Sequence, residues 1–118
     1  MGRIYRIIEV SFNGKKESAI AIVDTGADET VISKRLADRL NAKLHGTFLA
    51  KCASQTVLEG RYANIKVKEL KSGKEAELEV GVSDIPFDTD DINEEGLDVI
   101  AGVDFIQEVH LEIPQNKS

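Results

Sequence analysis

One acidic residue, Asp24, stands where an apolar run meets a polar turn. The run before it, residues 19–23, reads Ala-Ile-Ala-Ile-Val, which is typical of a β-strand buried on both faces. Thr25 then supplies a hydroxyl that can hydrogen-bond within the turn, and Gly26 lets the backbone approach a neighbour closely. A carboxylate held at the end of a rigid strand can be tuned as an acid or a base. We therefore expect the chemistry of this protein at Asp24.

The residues after this triplet extend the pattern. Asp-Thr-Gly alone is also an ordinary way to leave a β-strand, and at average composition it occurs by chance in about a few per cent of chains of this length. Here it continues through Ala27, Asp28, Thr30, Val31 and Ile32. The whole run resembles the active-site segment of the retropepsins, the single-domain aspartic proteases of retroviral type.

A second segment, residues 97–106, strengthens this resemblance. Its Ile100, Ala101 and Gly102 resemble the hydrophobic-hydrophobic-Gly element that retropepsins place beneath the catalytic turn, although a buried strand ending in a Gly turn has the same pattern. The order of the two motifs matches the family over nearly all 118 residues. The resemblance implies an all-β, retropepsin-like acid protease barrel with one or two short helices. Residues 1–118 would form a single domain that is active as a symmetric homodimer.

The number of catalytic carboxylates favours that homodimer. The chain contains one Asp-Thr-Gly, whereas peptide hydrolysis of this kind needs two carboxylates that share a proton, one acting as acid and the other as base. The simplest arrangement is a twofold dimer in which Asp24 of each protomer meets at the axis. The predicted function is an aspartic endopeptidase that cleaves extended polypeptide segments, with a maximum of activity against pH. The dyad activates water itself, so neither a cofactor nor a metal is expected.

Two other interpretations stay open, because a fold does not establish an activity. The first is a catalytically quiet dimer that binds peptide in the same cleft or serves assembly. The second is a small β scaffold without a cleft function, which would leave the polar turn at Asp24 unexplained.

The resemblance also assigns roles to the residues that follow Asp24. Thr25 would join the two active-site loops through its hydroxyl, and Gly26 would make backbone contacts with substrate. Asp28 would contact the main chain of the substrate. Retroviral members have Arg after the Gly of the second element, whereas this chain has Val103 and then Asp104. The usual cationic partner of Asp28 is therefore missing, and we hypothesise that Arg3 or Arg6 replaces it.

A hairpin over residues 47–64 is predicted around a tip of small and polar residues. In retropepsins this position holds the flap that closes over bound peptide, although the tip here departs from the Gly-rich flaps of retroviral members. The predicted substrate-binding residues are Ala27, Asp28, Cys52, Ala53, Ser54 and Ile100. Further apolar residues are interpreted as pocket lining or as core: Ile32, Leu49, Val57 and Ile85.

The remaining elements are expected to form the scaffold. Period-two patterns and turn residues predict strands over residues 3–12, 17–23, 65–70 and 75–82, with a hairpin turn at Asn13-Gly14. Ser33 is expected to cap a short helix whose charged residues face water, and a second short helix is expected to reach about Val109. The acidic segment 87–96 lacks the Gly and Glu positions of a calcium loop and is interpreted as solvated.

Composition excludes several classes of partner. With 21 acidic and 15 basic residues, the formal net charge is -6, which disfavours binding to nucleic acid. No apolar stretch is long enough for a membrane span, and charges near the N-terminus are unlike a signal peptide, so no membrane association and a cytoplasmic location are expected. The single cysteine excludes an internal disulfide and is interpreted as an incidental small residue rather than as a redox switch.

Overall fold

A computed structural model describes residues 4–51, 57–83 and 97–111. Within these ranges seven strands and two short helices follow one another along the chain: β1 (Ile4–Phe12), β2 (Lys15–Val23), β3 (Val31–Ser33), α1 (Lys34–Leu40), β4 (Leu44–Lys51), β5 (Val57–Glu69), β6 (Glu75–Ser83), β7 (Leu97–Ala101) and α2 (Val103–Glu108). The tip residues Cys52, Ala53 and Ser54 lie outside the described residues, as do Arg3, Ile85 and the acidic segment 87–96.

The strands form one sheet in the order β1-β2-β7-β3-β6-β5-β4. An additional pairing between β1 and β5 closes six of the strands into a ring, and β4 continues the sheet beyond β5. The pairs β2–β7 and β3–β6 are parallel, and the other pairs are antiparallel. The predicted all-β barrel with one or two short helices is confirmed. None of the helices in the described ranges has the length and apolar character that crossing a membrane requires.

The turn between β1 and β2 forms at the predicted residues. Asn13 and Gly14 have φ angles of 50° and 88°, which are the left-handed values of a two-residue hairpin turn whose twist suits the flanking strands. The turn fixes the register of β1 against β2, which pairs Phe12 with Lys15. On its other side, β2 pairs with β7. The central strand predicted ahead of Asp24 is thus confirmed.

Strand β5 differs from its prediction. The sequence predicts one hairpin ending near residue 64 and a new strand from residue 65, whereas the structure contains a single strand from Val57 to Glu69. Asn64 is exposed and pairs with Glu79 across the sheet, while its neighbours Ala63 and Ile65 are buried. A polar residue on the outward face does not interrupt a strand, because side chains alternate between faces. The hairpin predicted to be the flap is therefore continuous with the closed sheet.

The main core fills the inside of the sheet and is closed by the two helices. Its fully buried members are mostly aliphatic and include Ile8, Val10, Ile32, Leu36, Leu40, Val67, Val80, Val99 and Phe105. Helix α1 starts as predicted, because the Ser33 hydroxyl accepts a hydrogen bond from the Leu36 N–H at 3.1 Å. Ile32 belongs wholly to this core, so the structure places it away from a pocket wall.

Candidate active site

Asp24 follows the last residue of β2, and backbone hydrogen bonds fix its position. Its N–H donates to the Ala101 carbonyl of β7 at 2.9 Å, and its own carbonyl accepts from the Ala27 N–H at 3.1 Å. The Gly26 N–H donates to Asp24 Oδ1 at 2.9 Å. A Cβ on Gly26 would lie 3.2 Å from that oxygen, so the small residue allows the turn to close around the carboxylate. The turn thus orients the carboxylate before any ligand arrives.

The predicted catalytic residues lie at the surface of the chain. Asp24, Thr25, Gly26 and Asp28 are exposed, and Ala27 is half-buried. Asp24 Oδ2 has no hydrogen-bond partner within the described residues, because only Oδ1 receives the turn amide. A carboxylate held at one oxygen and open at the other can accept a proton, a water molecule or a second carboxyl group.

A buried hydroxyl joins the end of this turn to α2. The Thr30 hydroxyl donates to Asp104 Oδ1 at 2.6 Å, and the Thr30 N–H donates to Asp104 Oδ2 at 3.2 Å. The same hydroxyl oxygen accepts from the Gly102 N–H at 3.1 Å. Val103 N–H completes the connection by donating to the Ala27 carbonyl at 2.8 Å. The active-site turn and the start of α2 therefore form one hydrogen-bonded unit.

Gly102 permits this close approach. A Cβ at this position would lie 2.7 Å from the carbonyl oxygens of both Ala27 and Glu29, closer than real Cβ atoms come to backbone. The structure thus places the predicted Ile100-Ala101-Gly102 element directly against the turn that carries Asp24.

Ile100 lies between two apolar clusters outside the main core. It packs against Ile22 of β2 on one side and against the cluster of Val31, Phe48 and Leu58 on the other. This position connects the strand that leads to Asp24 with the β4–β5 hairpin. Ile100 is half-buried, so part of its side chain remains available to a ligand.

Leu49 and Val57 occupy the other face of that hairpin. They are 65% and 51% exposed, whereas Phe48 and Leu58, their neighbours in sequence, are buried. Because side chains alternate along a strand, Phe48 and Leu58 lie on one face of the hairpin, packed with Val31 and Ile100, and Leu49 and Val57 lie on the opposite face. The exposure of Leu49 and Val57 excludes them from the core, and their place in the lining of a pocket stays a prediction.

The Asp28 carboxylate has no hydrogen-bond or ion-pair partner among the described residues, in keeping with the absence of the retroviral Arg. The guanidinium of Arg6 donates to the Tyr5 carbonyl at 3.0 Å, and its charge acts on Glu69. Burial raises the pKa of Glu69, but hydrogen bonds from Ser72 and Lys71 together with that charge bring it below the ordinary value. The structure thus shows no pair between Asp28 and Arg6, and the pairing of Asp28 with Arg3, which lies outside the described residues, stays a prediction.

The neighbouring Glu29 does have a partner that the sequence did not suggest. The Tyr62 hydroxyl on β5 donates to Glu29 Oε2 at 3.2 Å. Burial and the adjacent Glu29 carboxylate raise the pKa of Tyr62 above its ordinary value. Tyr62 also meets the ring of Phe48 edge to face, with centroids 5.4 Å apart. Tyr62 therefore links the active-site turn to the hairpin, and a half-buried Tyr on a long strand gives no sequence signal for this role.

No group of side chains in the described ranges is arranged to hold a metal ion. The titratable groups at the site are carboxylates and one phenol. Such a set is suited to proton transfer and to hydrogen bonding with a peptide.

Comparisons with known proteins agree with this geometry. The family described as "gag-polyprotein putative aspartyl protease" matches residues 8–108. The solved structure of the EIAV protease complexed with the inhibitor HBY-793 is similar, with a TM-score of 0.71 and 18% sequence identity over 97% of this chain and 94% of that chain. At that identity the likeness shows the fold. No curated protein matches the chain. Because the family match covers most of the sequence and the sheet has the retroviral protease fold, the chain belongs to the gag-polyprotein aspartyl protease family and is retropepsin-like.

Proposed function

We propose that this protein is an aspartic endopeptidase that hydrolyses peptide bonds in extended polypeptide segments. The observation that carries the proposal is the setting of Asp24, an exposed carboxylate with one oxygen held by the Gly26 N–H and the other open. Membership of an aspartyl protease family supports the same reaction class.

The reaction requires a second carboxylate, and a second copy of the chain would supply it. Two Asp24 side chains that meet at a twofold axis share one proton, because two adjacent anions repel each other. The protonated member donates a hydrogen bond to the scissile carbonyl, while the ionised member takes a proton from water. The water oxygen then attacks the carbonyl carbon, and the amine leaves with a proton when the tetrahedral intermediate breaks down. Activity would pass through a maximum with pH, because both extremes remove the singly protonated pair.

The neighbouring residues would assist in distinct ways. The Thr25 hydroxyl would join the two active-site loops across the axis, and Gly26 would offer backbone to the substrate. Asp28, whose carboxylate has no partner among the described residues, would accept hydrogen bonds from the substrate's main chain. Residues Cys52, Ala53 and Ser54 would cover the bound peptide as the tip of the flap.

The apolar surroundings of the turn suggest a preference in the substrate. Ala27 and Ile100 are half-buried, and Ile100 adjoins the cluster of Val31, Phe48 and Leu58. Apolar side chains on either side of the cleaved bond would bury their surface there, at roughly 25 cal/mol for each Å² removed from water.

Cleavage of an unstructured peptide library by the wild type, beside Asp24→Asn, tests the reaction. The amide keeps an oxygen for the Gly26 N–H but cannot share a proton as a carboxylate does. We expect products from the wild type and a loss of at least about a thousandfold in rate in the variant. The exposed Asp38→Asn on α1 is the matched control and should cut at the wild-type rate. Equal turnover by wild type and Asp24→Asn, or none by either, would refute the proposal; binding without turnover would favour the catalytically quiet dimer.

Sedimentation at several protein concentrations tests the assembly. Activity should follow the fraction of dimer as the protein is diluted, since each protomer supplies one carboxylate. A strictly monomeric species that cleaves peptide would contradict the shared dyad.

A further inference from the structure

We infer that Asp104 and Thr30 together are positioning residues for Asp24, an inference that rests on the proposed function. Neither side chain forms a hydrogen bond with the Asp24 carboxylate. They act on the two backbone segments that hold it, one at the end of the active-site turn and the other at the start of α2. In this chain, they would do so without the cation that retroviral members carry one position earlier, where Val103 stands.

The hydrogen bonds of this pair have a fixed direction. Asp104 accepts from the Thr30 N–H, from the Thr30 hydroxyl and from the Phe105 N–H, the last at 2.7 Å. The Thr30 hydroxyl has only one proton, and donating it to Asp104 leaves the oxygen to accept from Gly102. An ionised carboxylate accepts such bonds most strongly. Removing either member therefore leaves a buried donor without an acceptor.

Two short series of backbone hydrogen bonds connect Thr30 and Asp104 to Asp24. Gly102 is flanked by Ala101, whose carbonyl receives the Asp24 N–H, and by Val103, whose N–H donates to Ala27. Ala27 in turn donates to the Asp24 carbonyl. Thr30 is fully buried, and its carbonyl accepts from the Gly81 N–H of β6 at 3.0 Å. A displacement of Thr30 relative to Gly102 would therefore move the backbone on both sides of the catalytic turn.

The structure contains a second buried pair of the same chemistry, which separates positioning from general stability. The Ser33 hydroxyl donates to Asp98 at 2.6 Å, at the other end of β7. Loss of either hydroxyl removes a buried hydrogen bond to a carboxylate and should lower the free energy of unfolding. Only the loss at Thr30 should affect Asp24, because Ser33 has no hydrogen bond to the active-site turn.

The test compares Thr30→Val, Thr30→Ser, Asp104→Asn and Ser33→Ala in the full chain. Hydrogen exchange at the amides of Ala27 and Val103, followed by NMR, reports on the turn without requiring activity. We expect Thr30→Val and Asp104→Asn to accelerate this exchange about tenfold or more under native conditions, whereas Thr30→Ser, which keeps the hydroxyl, and Ser33→Ala should leave it near the wild-type rate. Should Thr30→Val fail to fold, Asp104→Asn carries the comparison.

Kinetics with a cleaved peptide provide the second readout. We expect kcat to fall about tenfold or more in Thr30→Val and Asp104→Asn and KM to rise by a smaller factor, because the displaced turn carries both Asp24 and the proposed peptide-binding residues Ala27 and Asp28. Unchanged exchange at Ala27 and Val103, or an equal fall of kcat in Ser33→Ala, would overturn the inference. A wild type that cleaves nothing refutes the proposed function, and the exchange rates then decide this inference by themselves.

Discussion

The Ser33 hydroxyl that caps α1 also donates to the buried carboxylate of Asp98 at 2.6 Å. Arg35 donates to the same carboxylate oxygen, and Arg39 lies 3.6 Å from the other one. Asp98 is 1% exposed, so its charge is compensated by these two arginines of α1 and not by solvation in water. Arg35 and Arg39 are exposed, as the predicted solvated face of α1 requires, and their guanidinium groups also pair with Asp98, which anchors the helix to β7.

The Asp98 contacts predict an acid-sensitive contribution to stability. Burial acts to raise the pKa of Asp98, but the hydrogen bonds and charges of Arg35, Ser33 and Arg39 lower it below the ordinary value. A lowered pKa in the folded state stabilises the fold above the unfolded pKa of about 3.9, and this contribution is lost as the pH falls through the folded pKa.

Urea unfolding at pH 7 and at pH 3 measures this contribution. Asp98→Asn should lower the free energy of unfolding by about 2–3 kcal/mol at pH 7 and by less at pH 3, because below about pH 3.9 the unfolded wild type binds a proton at Asp98 and the stabilisation by the folded charge decreases. The exposed Asp38→Asn on the same helix should change stability little at either pH. If Asp98→Asn lowered the free energy of unfolding by the same amount at pH 7 and at pH 3, the assigned role of the charge would be contradicted.

The parts of the fold that were predictable are those with local signals. Asn13-Gly14 specifies a hairpin, Ser33 specifies a helix start, and the apolar run before Asp24 specifies a buried strand; each signal lies within a few residues of its effect. The partners of the buried carboxylates had no such signal. Ser33 and Asp98 are 65 positions apart, and Thr30 and Asp104 are 74 apart, so only the folded sheet brings them together.

Gly102 should tolerate no side chain. Gly102→Ala would place a Cβ 2.7 Å from two backbone oxygens of the active-site turn, which cannot move without displacing that turn. We expect a loss of about 1–3 kcal/mol in the free energy of unfolding and at least about a tenfold loss of peptidase activity. Gly73→Ala serves as control, because it has open space and a φ of 76° and should cost about 1–2 kcal/mol through backbone strain alone. Full activity of Gly102→Ala would show that the turn adjusts.

Gly81 and Phe48 should be energetically coupled. A Cβ on Gly81 would lie 2.5 Å from the buried Phe48 ring, so Gly81→Ala should destabilise the protein by about 1–3 kcal/mol. Phe48→Leu replaces the ring with a smaller aliphatic side chain and should reduce that penalty. In a double-mutant cycle measured by urea unfolding we expect a coupling energy of about 1 kcal/mol. The effects of Gly73→Ala and Phe48→Leu on the free energy of unfolding should be additive. If the effects of Gly81→Ala and Phe48→Leu were additive as well, the contact between Gly81 and Phe48 would be contradicted.

The phenol of Tyr62 reports on its contact with Glu29. Glu29→Gln removes a neighbouring negative charge and should lower the pKa of Tyr62, although burial continues to raise it. Ultraviolet absorbance of tyrosinate measures this in a Tyr5→Phe background, because the chain has two tyrosines. Glu79→Gln should have a smaller effect, since Glu79 contributes least to the shift. An unchanged titration in Glu29→Gln would mean that the hydrogen bond does not persist in solution.

Mixed dimers test whether each active site uses Asp24 from two chains. Wild type and Asp24→Asn are incubated together in equal amounts until subunits have exchanged, and peptide cleavage is compared with that of the same total concentration of wild type. If a single Asn inactivates the site, random pairing leaves about a quarter of the activity, whereas a site within one chain would leave about half. Mixing with Asp38→Asn, whose carboxylate lies on α1, should leave activity unchanged. A value near one half, with exchange verified by sedimentation of tagged subunits, would exclude the shared pair of carboxylates.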